Sequence, residues 1–473
     1  MGTINSAFSL MTGALDADQA ALNVVANNVA NANTPGYTEE TPNWQENQPI
    51  TINGVSYGAG VTETGATSVR DRVLTERLDQ QQQLASASGS RLTALNTLQA
   101  LFTPDSGSTS ATAGDIGSDL TSFFSSFSSL EANPTNNALR QQVLSTATTL
   151  AGDVSNAAAS LNSQRSALDQ EASGVTSQVN ALTGAIAQLN RQIQSTSPNA
   201  DAGTLEDQRQ QDLSKLSQLI GINQITTENN GLSITTTSGQ LLVSEGSSFQ
   251  LTTGTVNGVT DFFLGGTDIT SQLTGGGGEL GGYLTARDQD IPSALGSLDQ
   301  LAYNVSTQVN TLNNAGTDLD GVTGTVANPL YIFNQPTVVA GSAANMSVVM
   351  TDPNQIAAAG LGQGMGDNSN ATAMANLANQ SIVNGQIPTD YYSSFVSTLG
   401  STVSSVQTEN TAQNASVTQL QTQNNALSSV NLNDEASSMT TLERSYQAAS
   451  QVFTMLNTIM ASALNLGDQT AVS

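Results

Sequence analysis

Cysteine and histidine are both absent from the 473 residues. Without cysteine there is no disulfide, no thiol nucleophile and no thiolate metal site. Without histidine the commonest general base and metal ligand is missing. Lysine occurs once, at Lys215. Charged residues make up only 10% of the chain and lean to one sign, 38 Asp and Glu against 11 Lys and Arg, for a formal net charge of -27. A chain this negative has no electrostatic footprint for nucleic acid or an anionic membrane. No stretch approaches the roughly 18 to 20 apolar residues that span a bilayer, so membrane insertion is not expected. The opening Met1-Gly2-Thr3-Ile4-Asn5-Ser6 lacks the basic n-region and apolar core of a cleavable secretory signal. Any export is therefore expected to follow a route that cleaves nothing.

Ala, Ser, Thr, Asn, Gln and Gly fill most of what remains. Such a polar, weakly charged surface fits a flexible secreted protein or a subunit largely covered by identical neighbours. The periodicity of the apolar residues favours the second. Near the N-terminus Ile4, Phe8, Met11, Leu15, Leu22, Val25 and Val29 recur at spacings of four and three, with Asp18 interrupting one slot. Near the C-terminus Met439, Leu442, Tyr446, Ala449, Phe453, Leu456, Met460 and Ala463 do the same. Each is a narrow helical seam of the kind a coiled-coil partner covers. Thr3 is the expected N-cap of the first helix and Asn433 that of the last, with Asp434 and Glu435 in its dipole-favoured first turn. Gly467 is the expected C-terminal stop.

Helices are also expected over Leu74–Phe102, Val143–Ile193, Leu205–Ile220 and Leu295–Leu312, with a further long one marked by Tyr392 to Leu427. Val143–Ile193 keeps a heptad pattern longer than typical globular helices, which suggests a rod-shaped bundle. Ile222–Leu273 changes character: Gly231-Leu232-Ser233-Ile234-Thr235 alternates and Asn257-Gly258 is a hairpin signal, so a small antiparallel β domain is expected. Gly275–Gly278 leads out of it. Ala315–Gly366 reads as loop and strand, with Met346–Met350 its best strand candidate. Pro35-Gly36 supplies the central pair of a type II turn that ends the first helix, and Tyr37–Val69 beyond it reads as extended structure or a long loop.

No catalytic, cofactor-binding or metal site emerges. A serine could pair only with Lys215, which sits in a helical period and is expected to face solvent. Acid pairs such as Asp16 with Asp18, or Glu39 with Glu40, read as solvated surface. Gly362-Gln363-Gly364-Met365-Gly366 lacks the strand and the Gly-Lys-Ser/Thr of a phosphate loop, and Asp318-Leu319-Asp320-Gly321 lacks the closing Glu of a calcium loop. Both read as turns.

The most specific motif is Asn27-Asn28-Val29-Ala30-Asn31-Ala32-Asn33-Thr34-Pro35-Gly36-Tyr37. From the residues alone it is a helix C-terminus whose Asn side chains satisfy the last carbonyls before a turn. It also resembles the signature of the flagellar rod, hook and hook-associated proteins, as does the closing Val430-Asn431-Leu432 with Glu435-Ala436, Leu442 and Tyr446-Gln447-Ala448-Ala449. The chain departs there in Asn433-Asp434 and Arg444-Ser445. Within that group the interior resembles the hook-associated protein 1 family: Leu120, Phe123 and Phe124, Ala132-Asn133-Pro134, Arg140-Gln141, Asp207 with Arg209 and Asp212, Gly278-Glu279-Leu280-Gly281-Gly282, Arg287, Ile291-Pro292, Asp318–Gly321 and Gly366-Asp367-Asn368. The likeness is weakest over Ile222–Leu273.

The resemblance implies a non-enzymatic subunit of the hook–filament junction on the cell exterior, exported by the flagellar type III apparatus. It implies as partners a ring of like subunits, hook protein, a second hook-associated protein and an export chaperone, and no cofactor. The expected fold is mainly α with inserted β, an elongated multi-domain rod with paired terminal helices, a long helical bundle and small antiparallel β domains. The expected division is 1–70 plus 431–473 as the terminal coiled-coil domain, 71–221 plus 279–314 plus 367–430 as the helical rod, 222–278 as a β insertion and 315–366 as a second loop and strand region. The assembly interface is expected along the two seams. Both termini are expected to be mobile in the free chain and to order on docking. A hook or distal-rod protein is the alternative within the class, and a secreted helical adhesin or translocator the alternative outside it.

Overall fold

The computed structural model describes residues 2–52, 54–102, 116–196, 201–256 and 258–469. In chain order the elements begin with α1 (Gly2–Asn31), β1 (Glu40–Glu46), β2 (Ile50–Ile52), β3 (Val55–Tyr57) and β4 (Val61–Ser68). Then come α2 (Arg72–Ala100), α3 (Ile116–Ala132), α4 (Asn137–Thr196) and α5 (Thr204–Leu219). Seven short strands follow: β5 (Ile222–Thr226), β6 (Leu232–Thr236), β7 (Leu241–Ser244), β8 (Ser247–Ser248), β9 (Leu251–Val256), β10 (Val259–Leu264) and β11 (Thr267–Asp268). The chain ends with α6 (Thr270–Leu273), α7 (Gly278–Thr285), α8 (Ile291–Ala315), α9 (Ser369–Asn376), α10 (Pro388–Ser428) and α11 (Leu432–Gln469). The expected class, mainly α with inserted antiparallel β, is what is found.

Two units divide these elements. The first takes Met1–Gln83, Gln178–Leu251 and Asn414–Ser473; the second takes Leu84–Ser177 and Thr252–Gln413. In the first unit α1 lies against α11 on one side and against β1 and β4 on another. β1 and β4 pair antiparallel with a bulge between Pro42 and Trp44, and β2 pairs with β3 beyond them. Tyr37–Val69 is therefore extended structure, one hairpin beyond another, the first of the two expected alternatives. The four-stranded sheet β5-β6-β7-β8 carries a wholly buried β6. Asn190 on α4 holds it by donating to the carbonyls of Leu232 at 2.8 Å and Glu245 at 2.7 Å.

The second unit has a conventional core. On α3, Ile116, Leu120, Phe123, Phe124, Phe127 and Leu130 are buried at helical spacing, and Phe123 meets Phe127 and Phe333 at ring centroids 5.3 and 5.4 Å apart. Leu150, Val154 and Leu161 of α4, Leu298 and Val305 of α8 and Val403 of α10 complete it. The sheet β11-β10-β9 belongs here except for Leu251. Asp169 of α4 pins it by accepting from Thr260 N at 3.1 Å and Thr260 Oγ1 at 2.6 Å. Arg287, fully buried in a π-helical turn, donates to Asp169 at 2.5 Å and to the Thr260 carbonyl at 2.7 Å. Gly282 of α7 sits so close to α2 that a Cβ would lie 2.2 Å from the Ala87 carbonyl oxygen.

Several sequence expectations need correction. Met346–Met350 forms no strand, only the isolated bridge Phe333↔Val348. The reason is that Asn310 takes the neighbouring backbone: its Oδ1 accepts from Ile332 N and Phe333 N at 3.0 Å and its Nδ2 donates to the Phe333 carbonyl at 2.9 Å. Asn313 does the same for Leu330 and Ala357. Side chains of α8 thus satisfy part of the 315–366 backbone, and scattered backbone pairs such as Asn334 N to the Ser347 carbonyl at 2.8 Å and Thr317 N to the Ala359 carbonyl at 2.8 Å satisfy more without building a ladder. The cap of α11 is Asn431, whose Oδ1 accepts from Asn433 N at 3.1 Å, rather than Asn433. α11 continues through Gly467 to Gln469, since one helical Gly costs only about 1 kcal/mol. α1 begins at Gly2, so Thr3 lies inside the helix; its side chain, like Asn257, is outside the described residues.

Candidate functional site: the paired terminal helices and their polar hub

The helices predicted from the two ends lie together. Phe8 and Phe453 meet edge to face with ring centroids 5.2 Å apart. On α11 the half-buried side chains are Met439, Leu442, Ala449, Phe453, Leu456 and Met460, which is the predicted face; Tyr446 is exposed. On α1 the picture differs. Ile4, Phe8, Met11, Leu15 and Leu22 are half-buried, Val29 is exposed, and the fully buried line is Ala17, Ala21, Val25 and Asn28. Small side chains let the neighbouring elements come close, and alanine does not announce itself in a hydrophobic pattern. Gly13 and Gly60 mark the same closeness on the strand side, where a Cβ on Gly13 would lie 3.2 Å from the Val61 carbonyl oxygen.

Asn28 is the hub. It is 1% exposed and makes the four hydrogen bonds an amide can offer. Its Nδ2 donates to the Glu40 carbonyl at 2.8 Å and to Glu435 Oε1 at 2.7 Å. Its Oδ1 accepts from Glu40 N at 3.0 Å and from Tyr37 Oη at 2.8 Å. One side chain thereby ties the end of α1, the start of β1 and the first turn of α11. The turn supplies the geometry: Thr34 to Tyr37 closes with Tyr37 N donating to the Thr34 carbonyl at 3.2 Å, and Gly36 takes φ 77°. Asn31 Nδ2 donates to the Asn27 carbonyl at 3.0 Å, as expected for the last turn, and Asn27 Nδ2 donates to Tyr37 Oη at 3.3 Å. Asn33, Thr34 and Pro35 are exposed.

The electrostatics of the hub are acidic. Burial, then Asn28 in the opposite sense, then Glu39 and Asp434 act on Glu435, and its carboxyl is raised above the usual range. Glu40 is raised by burial and by Asp201 and Asp207, with Arg70 pulling back. Burial and the carboxylates of Glu40, Asp207, Glu435 and Glu39 keep the Tyr37 hydroxyl protonated far above neutral pH. Tyr37 is therefore a fixed donor to Asn28.

Beside the hub lies a charge cluster that sequence reading missed. Thr38 donates to Asp207 from N at 3.1 Å and from Oγ1 at 2.8 Å. Arg70 pairs with both Asp207 and the buried Glu206, the latter at 2.8 Å, and Arg72 reaches Glu206 at 3.0 Å. Arg209 adds 2.9 Å to Asn190 Oδ1, which carries the network to the sheet. Asp79 of α2 is buried and accepts from Gln210 and Gln224, each at 2.8 Å. Burial dominates there and pushes its carboxyl up to about 6.

Lys215 is 62% exposed, 3.6 Å from Asp212. Asp318 Oδ1 accepts from Asp320 N and Val322 N, closing a turn on Gly321. Among the described residues no group of three or more acidic side chains could hold a metal ion, and no helix is long and apolar enough to cross a membrane.

Residues 106–326 match the family described as the flagellar hook-associated protein FlgK helical domain, and residues 11–38 match flagella basal body rod protein. The chain is 26% identical to flagellar hook-associated protein 1 of Salmonella typhimurium, over 96% of this chain and 98% of the relative. It is 25% identical to the Bacillus subtilis protein of that name, over 96% of each. The fold is that of the flagellar hook junction protein FlgK from Burkholderia pseudomallei: TM-score 0.63 at 18% identity, covering 73% of this chain and 99% of that one.

Proposed function

We propose that this chain, a member of the flagellar hook-associated protein 1 family, is the structural subunit that joins hook to filament in a bacterial flagellum. It is a flagellar component that assembles with other flagellar parts, and its work is to hold a geometry rather than to turn over a substrate. The observation that carries the reading is Asn28, whose four hydrogen bonds turn the family's Asn-rich motif into the lock between the two chain ends. The half-buried faces of α1 and α11 are then the surface along which subunits meet. Burying them removes few ions from water, since the charged residues there are sparse. Like subunits in a ring, hook protein on one side and a second hook-associated protein on the other are the partners this role calls for. Export through the flagellar type III apparatus, with a chaperone covering the terminal seams beforehand, fits helices that leave apolar side chains half-open.

Deletion of the coding sequence tests the role. The expected strain bears intact hooks without filaments and releases flagellin into the medium, and the wild-type chain restores swimming. Filaments retained on the deletion strain would contradict the reading. Loss of hooks as well would favour a hook or rod role instead.

A further inference from the structure

The turn that ends α1 does not hang from α11 alone. Three attachments tie it and the base of the β1–β4 ribbon to residues 201–211, the loop before α5 and the start of that helix. Gln211 Nε2 donates to the Pro35 carbonyl at 3.0 Å. Asp207 accepts from Thr38 N at 3.1 Å and from Thr38 Oγ1 at 2.8 Å. Asp201 Oδ2 accepts from Ser68 N at 2.7 Å, and Ser68 pairs across the ribbon with Glu40. Asp207 and Gln211 are four residues apart and so share one face of α5. The approach is close: a Cβ on Gly36, already at φ 77°, would lie 2.7 Å from Gln211 Nε2. Arg70, just beyond β4, donates to Asp207 and steadies its carboxylate. Thr38 and Asp207 are both buried, so either one left unpaired would cost its desolvation.

None of these bonds passes through α11. Nor does the one from Glu39 N to the Ser428 carbonyl, 2.9 Å long, at the end of α10. The lock at Asn28 is different, because Glu435 is one of its partners. Separating α1 from α11 would break the Asn28–Glu435 bond and leave the turn and the ribbon base attached. Two fastenings therefore act on one turn: a lock that needs the chain ends paired, and a seat that does not.

We infer that residues 201–211 form a seat already made in the free subunit, and that Asp207 and Gln211 are positioning residues for assembly. They hold the motif turn and the ribbon base before the terminal helices meet their neighbours, and they fix the direction in which α1 sets out. A helix released from a fixed anchor samples fewer orientations than a free tail, so less freedom is lost when it docks. The mobile part of the N-terminus then ends before Tyr37. This deepens the assembly reading above, on which its functional half rests.

Amide exchange on the free full-length chain reads the seat directly. Amides of Tyr37–Thr41 and Ser68 should exchange at least about tenfold more slowly than those of Phe8–Leu22. Nitroxides at Lys215→Cys and Glu46→Cys, clean labels in a chain without cysteine, should give one narrow distance between α5 and the ribbon. Thr38→Val with Gln211→Ala should remove most of the exchange difference, widen that distance and cut filament-bearing cells several-fold, with the α3 amides unmoved. Asp207 stays in place because it also pairs with Arg70. Thr38→Ser, which keeps the hydroxyl donor, should match wild type in all three measurements. Equal exchange of Tyr37–Thr41 and Phe8–Leu22 in the free chain overturns the preformed seat. A narrow distance in the double variant, or a widened one with full filamentation, overturns the positioning role. Absence of the chain from isolated hook–filament complexes overturns the junction reading and the positioning role with it, while exchange and distance still decide the seat on the free chain.

Discussion

The core around α3 and the pair α1–α11 solve the same packing problem in opposite ways. Around α3, large side chains are sealed from water on all sides: Phe123, Phe124, Phe127 and Leu130 are fully buried. Among the described side chains of α1 and α11 only Ala17, Ala21, Val25, Asn28 and Glu435 are buried, and the larger apolar groups stay half-open. The first region is complete as a single chain. The second holds its register through a polar hub and leaves its larger apolar side chains half-open, the surface that the proposed assembly role would have neighbours cover. A buried amide that satisfies every partner fixes one arrangement where a greasy seam would permit sliding.

The contrast can be broken by substitution, and the largest effects belong to the sealed regions. Phe123→Ala should destabilise the free chain by about 3–5 kcal/mol through a cavity that α4 and α8 cannot close; denaturant unfolding reads it, and a loss under about 1 kcal/mol would remove the distinction. Glu206→Gln should cost a comparable amount, about 3–5 kcal/mol, because Arg70, Arg72 and Arg209 lose their shared carboxylate. A matching melt at low and high salt checks that the cluster is screened from solvent.

Asp79 sharpens the comparison through pH. Its folded carboxyl titrates at about 6 against an ordinary 3.8. The unfolded chain ionises first, so stability present below the ordinary value is lost as pH rises through about 6. The loss is on the order of 3 kcal/mol. Asp79→Asn should flatten that slope and be the more stable protein at pH 8. An unchanged slope would place the titration elsewhere.

Smaller effects are expected at the chain ends. Asn28→Ala leaves Tyr37, Glu40 and Glu435 without their partner and should ease local opening of α11 by about 1–3 kcal/mol. Phe453→Ala removes one half-buried edge-to-face pair, so the free chain should lose only about 0.5–1.5 kcal/mol. Its main effect should appear in assembly, as filaments shed under shear.

How much of this was legible in the sequence follows from the physics of each part. The α11 face could be read because Met439, Leu442, Phe453, Leu456 and Met460 are large and regularly spaced. The buried line of α1 could not, because Ala17 and Ala21 carry little hydrophobic signal and Asn28 carries the opposite one. The motif by itself reads as a helix stop, which Asn31 performs; that Asn28 reaches across to Glu435, 407 residues on, is tertiary information. The Arg70–Glu206–Asp207 cluster was hidden for the same reason. Met346–Met350 looked like a strand because its alternation is real, yet Asn310 intercepts the backbone groups beside it.

Amide hydrogen exchange on the free chain and on assembled junctions tests the central contrast most directly. In the free chain, amides of Phe8–Val29 and Met439–Met460 should exchange well ahead of those in α3 and the 143–168 part of α4, and assembly should slow them to the same range. Equal, strong protection of the terminal helices before assembly would contradict the account.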